Sequence, residues 1–240
     1  MTRILVITDS RGKNIKPHLQ ENTPEGKSIT WDVQVLPGAT IETILKRIER
    51  GKRRNHWHQI IVIAGICNIT RRITSGSRNY LEYKIRKVRE TIEAIDQLLD
   101  IGEEVNICTI TPASLKDYSS ERENDPDLTL EQQQLEQDIE EINQHIIARN
   151  INKDSATINL AKLAQIRTLK KRSKASKRII KFDTQKLRDG VHPTSAHLQE
   201  WANYICSMIP KITKNSELSE DETSEEEQGE TWNFKRQRRQ

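Results

Sequence analysis

Short apolar runs that stop abruptly in polar, glycine-containing loops, with helical patterns between them, constrain this chain more than any other feature. The first, Arg3-Ile-Leu-Val-Ile-Thr8, closes in Asp-Ser-Arg-Gly. Others are Trp31-Asp-Val-Gln-Val-Leu36, Gln59-Ile-Ile-Val-Ile-Ala64 and Val105-Asn-Ile-Cys-Thr-Ile110, with a weaker one at Ala156-Thr-Ile-Asn-Leu160. Side chains that are apolar at successive positions suit a strand covered on both faces. The intervening stretches change period. Ile41, Ile44, Leu45 and Ile48 recur at helical steps, as do Ile85, Val88, Ile92, Ile95 and Leu99 within residues 80–99, and Leu135, Ile139, Ile142 and Ile146 within residues 130–150. Thr129 is the expected N-cap of that third helix, and a last helix is expected over residues 194–209. Strands separated by helices need crossover connections, so the expected fold class is α/β, with a mainly parallel sheet between two helical layers.

Length and charge set the domain organisation. The 240 residues suit one core plus a segment outside it, since 31% of them are charged. From Ser216 onward there are eight acidic residues against four basic ones and almost no aliphatic side chains. Such a stretch cannot offset the entropy of ordering it. The expectation is a domain over residues 1–213 and a disordered, acidic-then-basic tail over 214–240. Residues 1–215 hold 35 basic and 27 acidic side chains, a net charge of about +8 hidden by the tail. That balance suits an anionic partner such as nucleic acid, and equally a soluble surface screened by its own tail.

Cys67, Cys108 and Cys206 are widely spaced and lie in apolar runs, as reduced thiols do, which points to the cytoplasm or nucleus. No signal-peptide core or membrane span is expected. His18, His56, His58, His145 and His197 lack metal-ligand spacing, so no metal is expected. Two stretches, 117–127 and Lys170 to Arg178, are read as mobile or interactive surface. Arg47, Arg50, Lys52, Arg53 and Arg54 followed by Trp57 read either as a phosphate-binding patch with a stacking aromatic or as a solvated helix end.

In open parallel sheets ligands bind beyond the carboxyl ends of the strands, which directs attention to four loops. They are Asp9-Ser10-Arg11-Gly12, Pro37-Gly38-Ala39-Thr40, Gly65-Ile66-Cys67-Asn68 and Asp189-Gly190-Val191-His192-Pro193. A serine hydroxyl is a useful nucleophile only beside a base, and imidazole serves best when a carboxylate holds its other nitrogen. Asp189 and His192, three residues apart, can meet the second condition within one loop. The first needs the fold to bring Ser10 to His192. The backbone N–H groups of Ser10 and Gly38 and the amide of Asn68 are candidate donors to an oxyanion. Taken singly, Ser10 also reads as a capping serine and Asp189-Gly190 as a turn.

Together the four loops resemble the sequence blocks of the SGNH (GDSL-type) hydrolases. Ile-Thr-Asp-Ser-Arg-Gly is similar to block I, Pro-Gly-Ala-Thr to block II, Ala-Gly-Ile-Cys-Asn to block III and Asp-Gly-Val-His-Pro to block V, in the family's order over residues 4–193. The resemblance implies a three-layer, flavodoxin-like fold and a serine-dependent ester hydrolase of the esterase or acetylhydrolase type. It further implies an acyl-enzyme intermediate, a small ester or acylated substrate, and no cofactor or metal. It assigns Ser10, Asp189 and His192 as the triad, with Ser10, Gly38 and Asn68 around the oxyanion. Two positions depart from the pattern: Thr8 stands where the family has glycine before Asp-Ser, and Cys67 falls at the oxyanion asparagine, one residue before Asn68. Similar sequences occur in retrotransposon reading frames beside nucleic-acid-binding functions. The alternative is therefore a weak or inactive module of this fold that binds nucleic acid or protein through its basic surface. Specificity is expected from the loops at 71–78 and 115–129, and the oligomeric state is not legible.

Overall fold

The computed structural model describes residues 1–70, 80–102, 104–118, 128–153, 156–172 and 175–221. Four parallel strands, β1 (Thr2–Thr8), β2 (Ile29–Val35), β3 (Gln59–Ile63) and β4 (Val105–Ile107), form a sheet in the order β2-β1-β3-β4. β1 sits inside it, with Val6 opposite Val33 on one side and Ile61 on the other. Its unbroken apolar run follows from that position. Leu5 and Ile7 enter one core with Ile60 and Val62, while Ile4 and Val6 enter the other with Ile61 and Ile63.

Helices α2 (Ile41–Lys52), α4 (Tyr80–Leu99) and α6 (Leu128–Asn152) cover the first face. Their apolar stripes pack there as their spacing requires: Ile44 and Ile48 from α2, Ile95 and Leu99 from α4, Ile139, Ile142 and Ile146 from α6. Helices α1 (Ile15–Glu21) and α7 (Ser195–Asp221) cover the second, where Trp201 is fully buried among Ile4, Leu19 and Ile205. Two further helices are short, α3 (Ile66–Thr70) and α5 (Leu115–Tyr118). The result is the expected α/β architecture with a parallel sheet between helical layers.

Several details differ from the expectations. α6 begins at Leu128, so Thr129 lies inside its first turn rather than capping it. β4 stops at Ile107 because the chain beyond finds other partners. The Thr109 N–H donates to the Ile158 carbonyl at 3.1 Å, and Ile110 exchanges hydrogen bonds with the Asn143 side chain at 2.6 and 2.9 Å. The expected strand at 156–160 is a buried extension rather than a laddered strand, with Ile158 and Leu160 inaccessible to solvent. The basic stretch at 170–178 belongs to a hairpin separate from the main sheet, β5 (Gln165–Arg172) and β6 (Ala175–Phe182). α7 runs to Asp221, past residue 213, and residues 222–240 lie outside the described part. Trp57 is buried and donates to the Asp32 carboxylate at 3.1 Å, so it is not a stacking platform beside the α2 arginines. No helix of the described residues is long and apolar enough to cross a membrane.

Candidate active site

Ser10 leaves β1 at its carboxyl end and opens a 3-10 turn, Ser10–Gly12. Asp9 caps that turn, its Oδ1 accepting from the Arg11 N–H at 2.9 Å. The Arg11 side chain folds back over the same carboxylate, its Nε 3.3 Å from both oxygens and one Nη 3.2 Å from Oδ2. The other Nη donates to the Thr111 Oγ1 at 3.0 Å and the Thr111 carbonyl at 3.3 Å. Both side chains are all but excluded from water, 1% and 0% exposed. The residues on either side of Ser10 are thus locked to each other and to the segment after β4, while Ser10 itself stays half-buried. Thr8, in the place of the family's glycine, is fully buried. A Cβ on Gly12 would lie 2.4–2.8 Å from the Thr8 side chain, so the missing side chain at 12 makes room for the larger one at 8.

Asp189 and His192 sit in a tight loop just before α7. The Arg188 N–H donates to the His192 carbonyl at 2.7 Å, and Leu187 bridges Pro193. Gly190, at φ +76°, lies on the Ser114 segment: its carbonyl accepts from the Ser114 N–H at 2.6 Å, and a Cβ there would fall 2.4 Å from the Ser114 oxygen. Only glycine fits both the angle and the approach.

The Asp189 carboxylate accepts from the backbone N–H groups of His192 at 2.8 Å and Val191 at 3.2 Å, and its two oxygens are 3.0 and 2.8 Å from the His192 Nδ1. Burial by itself would raise this carboxyl, but the His192 backbone and ring and the Val191 N–H outweigh it and hold the pKa below the ordinary aspartate value. Asp189 is therefore ionised at neutral pH and can only accept. That makes Nδ1 the donor in a neutral imidazole and leaves Nε2 as an acceptor. Nε2 is 3.0 Å from the Ser10 Oγ, across 182 residues of sequence. Ser10, His192 and Asp189 thus form one continuous hydrogen-bonded chain in the ground state.

The other candidates are placed differently. Gly38 follows Pro37 in a turn closed by the Ala39 N–H on the Leu36 carbonyl at 3.0 Å, and its φ of +70° is the angle a glycine supplies there. Asn68 lies in α3, is buried, and is tied to the start of α2. Its Oδ1 accepts from the Ile41 N–H at 2.9 Å and its Nδ2 donates to a Glu42 oxygen at 3.0 Å. One of its two amide hydrogens is spent on that carboxylate. Cys67, aligned with the family's oxyanion asparagine, is half-buried and packs against the core of the α2 face. A cavity of about 280 Å³ adjoins the Asp189 loop, lined by Ala113, Phe182 and Leu187 among others, and one of about 290 Å³ is lined by Thr40, Glu42, Lys46 and Asn68. The expected specificity loop at 71–78 and most of the one at 115–129 lie outside the described residues.

Sequence reasoning missed the Arg11 clamp and the seat of Gly190. Their signals were present, an arginine two residues after an aspartate in the Asp-Ser-Arg-Gly loop and a glycine inside the Asp-x-x-His loop, but the partners Thr111 and Ser114 are distant in sequence and carry no motif.

No family model and no curated protein matches this sequence. Solved structures do match its fold. A GDSL-like lipase from Bacteroides thetaiotaomicron superposes with a TM-score of 0.58 at 15% identity, over 90% of this chain and 89% of that one. A lipase/acylhydrolase from Enterococcus faecalis gives 0.56 at 15% identity, over 87% and 95% of the two chains. An acetylxylan esterase from Geobacillus stearothermophilus gives 0.56 at 12% identity, over 87% and 94%.

Proposed function

From the SGNH-hydrolase fold of this chain, we propose that it is a serine-dependent ester hydrolase of the esterase or acetylhydrolase type. The observation that carries the reading is the 3.0 Å approach of the Ser10 Oγ to the His192 Nε2, with Asp189 on the opposite nitrogen. In this reading Ser10 attacks the carbonyl carbon of an ester while His192 takes its proton as general base. The ion pair of His192 and Asp189 formed at that moment needs no rearrangement, because the carboxylate already faces Nδ1. His192 then returns the proton to the departing alcohol. Water, deprotonated by the same imidazole, releases the acid from the acyl-enzyme and restores Ser10. The oxyanion is held by the N–H groups of Ser10 and Gly38 and by the Asn68 amide hydrogen not engaged by Glu42. The acyl donors of the structural relatives, acetylated xylan in one case, support a small acylated substrate.

Steady-state hydrolysis of a short-chain aryl ester tests this reading. Ser10→Ala and His192→Ala are each expected to lower kcat by about 10⁴-fold or more, and non-additively, because the pair acts as a unit. No turnover by the intact chain, or equal turnover by the variants, overturns it.

A further inference from the structure

Beyond β4, residues 108–114 are all buried without belonging to any strand, so their backbone groups need partners of another kind. Helix α6 supplies two of these, from carboxamides about three helical turns apart and therefore on one face of it. Asn143 holds both backbone groups of Ile110. The Gln132 Oε1 accepts from the Leu115 N–H at 2.8 Å, and its Nε2 donates to the Ala113 carbonyl at 3.0 Å. The same Nε2 donates to a Glu136 carboxylate oxygen at 2.9 Å, one turn further along α6, so every bond agrees on one orientation of the amide. Each carboxamide sits beside one anchor of the triad. Ile110 precedes Thr111, which accepts from the Arg11 side chain next to Ser10. Ala113 and Leu115 flank Ser114, whose N–H donates to the Gly190 carbonyl, inside the loop of Asp189 and His192, at 2.6 Å.

We propose that Gln132 is a positioning residue for the hydrolysis: it fixes the backbone on both sides of Ser114 and, through Gly190, sets the His192 ring against Ser10. The proposal rests on the ester-hydrolase reading of the triad. Asn143 is buried, whereas Gln132 is half-buried and lines the cavity of about 280 Å³ together with Ala113 and Leu187. On that side the segment has space to move into, so packing alone does not hold it and the two Gln132 bonds do. Leu187, on the wall of the same cavity, bridges Pro193 just after His192. Both supports of the catalytic loop therefore face that space. A drift of the imidazole by about 1 Å costs on the order of 10²-fold in rate while leaving the groups that touch substrate in place.

Steady-state kinetics with a short-chain aryl ester, paired with amide hydrogen exchange on the full chain, test the proposal. Gln132→Met keeps the length of the side chain and removes both backbone bonds. It is expected to lower kcat by about tenfold or more with KM little changed, and to speed exchange at the Ser114 and His192 amides. Gln132→Asn keeps the carboxamide but is one methylene too short to make both bonds, and is expected to move kcat the same way by less. Ile146→Val, which removes a buried methyl from the same helix, is expected to lower the melting temperature and leave kcat unchanged, separating positioning from a general loss of stability. The proposal is overturned if Gln132→Met keeps its kcat, if Ile146→Val loses as much, or if kcat falls while exchange at Ser114 and His192 is unaltered. No turnover by the intact chain overturns the ester-hydrolase reading and this proposal with it, whereas an active chain indifferent to Gln132 overturns the proposal alone.

Discussion

Two buried side chains beside the nucleophile show how much of this site is held by residues outside the triad. Asp9 and Arg11 are removed from water and satisfy each other, so neither can be taken away singly without stranding the other. Arg11→Met is expected to destabilise the fold by about 3–5 kcal/mol, since an uncompensated carboxylate then sits in the core. Asp9→Asn in the same chain is expected to recover part of that loss, and urea unfolding of the single and double variants measures both. A second buried group makes stability depend on pH. Burial lowers the pKa of His197 and outweighs the Glu200 carboxylate that pulls it up, and the Trp201 indole N–H donates to its Nε2 at 3.0 Å. The folded state thus keeps this ring neutral while the unfolded chain takes a proton near the ordinary value of 6.5. Stability is complete above that pH and is lost as pH falls toward the lower folded value. His197→Gln, which keeps a donor and an acceptor but cannot titrate, is expected to flatten the decline of the urea midpoint below about pH 6.5. A slope unchanged by the substitution would assign the acid sensitivity elsewhere.

At the scale of elements, the loop between the 3-10 turn at Thr184–Lys186 and α7 acts as a seat rather than a linker, because Gly190 fastens it to the Ser114 segment. Gly190→Ala demands a left-handed angle from alanine, costing roughly 1–2 kcal/mol, and drives a methyl into a backbone oxygen. The expected outcome is a clear fall in melting temperature and a loss of about 10²-fold or more in kcat, as the His192 ring shifts from Ser10. Normal kcat in a destabilised variant would mean that the seat serves the fold alone. Elements of this kind also mark where sequence reading succeeds and stops. The stripes of α2, α4 and α6 and the continuous runs of β1 and β3 were legible because burial on a fixed period leaves a pattern. The β5–β6 hairpin was not, since Thr-Leu-Lys-Lys-Arg alternates at neither two nor 3.6. The strand expected at 156–160 had the right composition, but the Thr109 N–H donating to the Ile158 carbonyl does not by itself make a ladder. Asn68 was legible as a polar residue beyond β3, whereas its engagement with Ile41 and Glu42 depends on how α2 and α3 meet.

Across the whole molecule, a parallel sheet brings the first strand's end and the approach to the last helix to one edge, and that topology is what lets residues 10 and 192 touch. The order of the motif-bearing loops along the chain was therefore more informative than any single residue among them. The central claim, that this meeting makes the Ser10 oxygen nucleophilic, is tested most directly by a fluorophosphonate probe followed by mass mapping of the modified residue. The expected result is one adduct, on Ser10, formed by the intact chain and abolished by His192→Ala with the fold retained. Labelling of another residue, or labelling of Ser10 at the same rate without the imidazole, would contradict it.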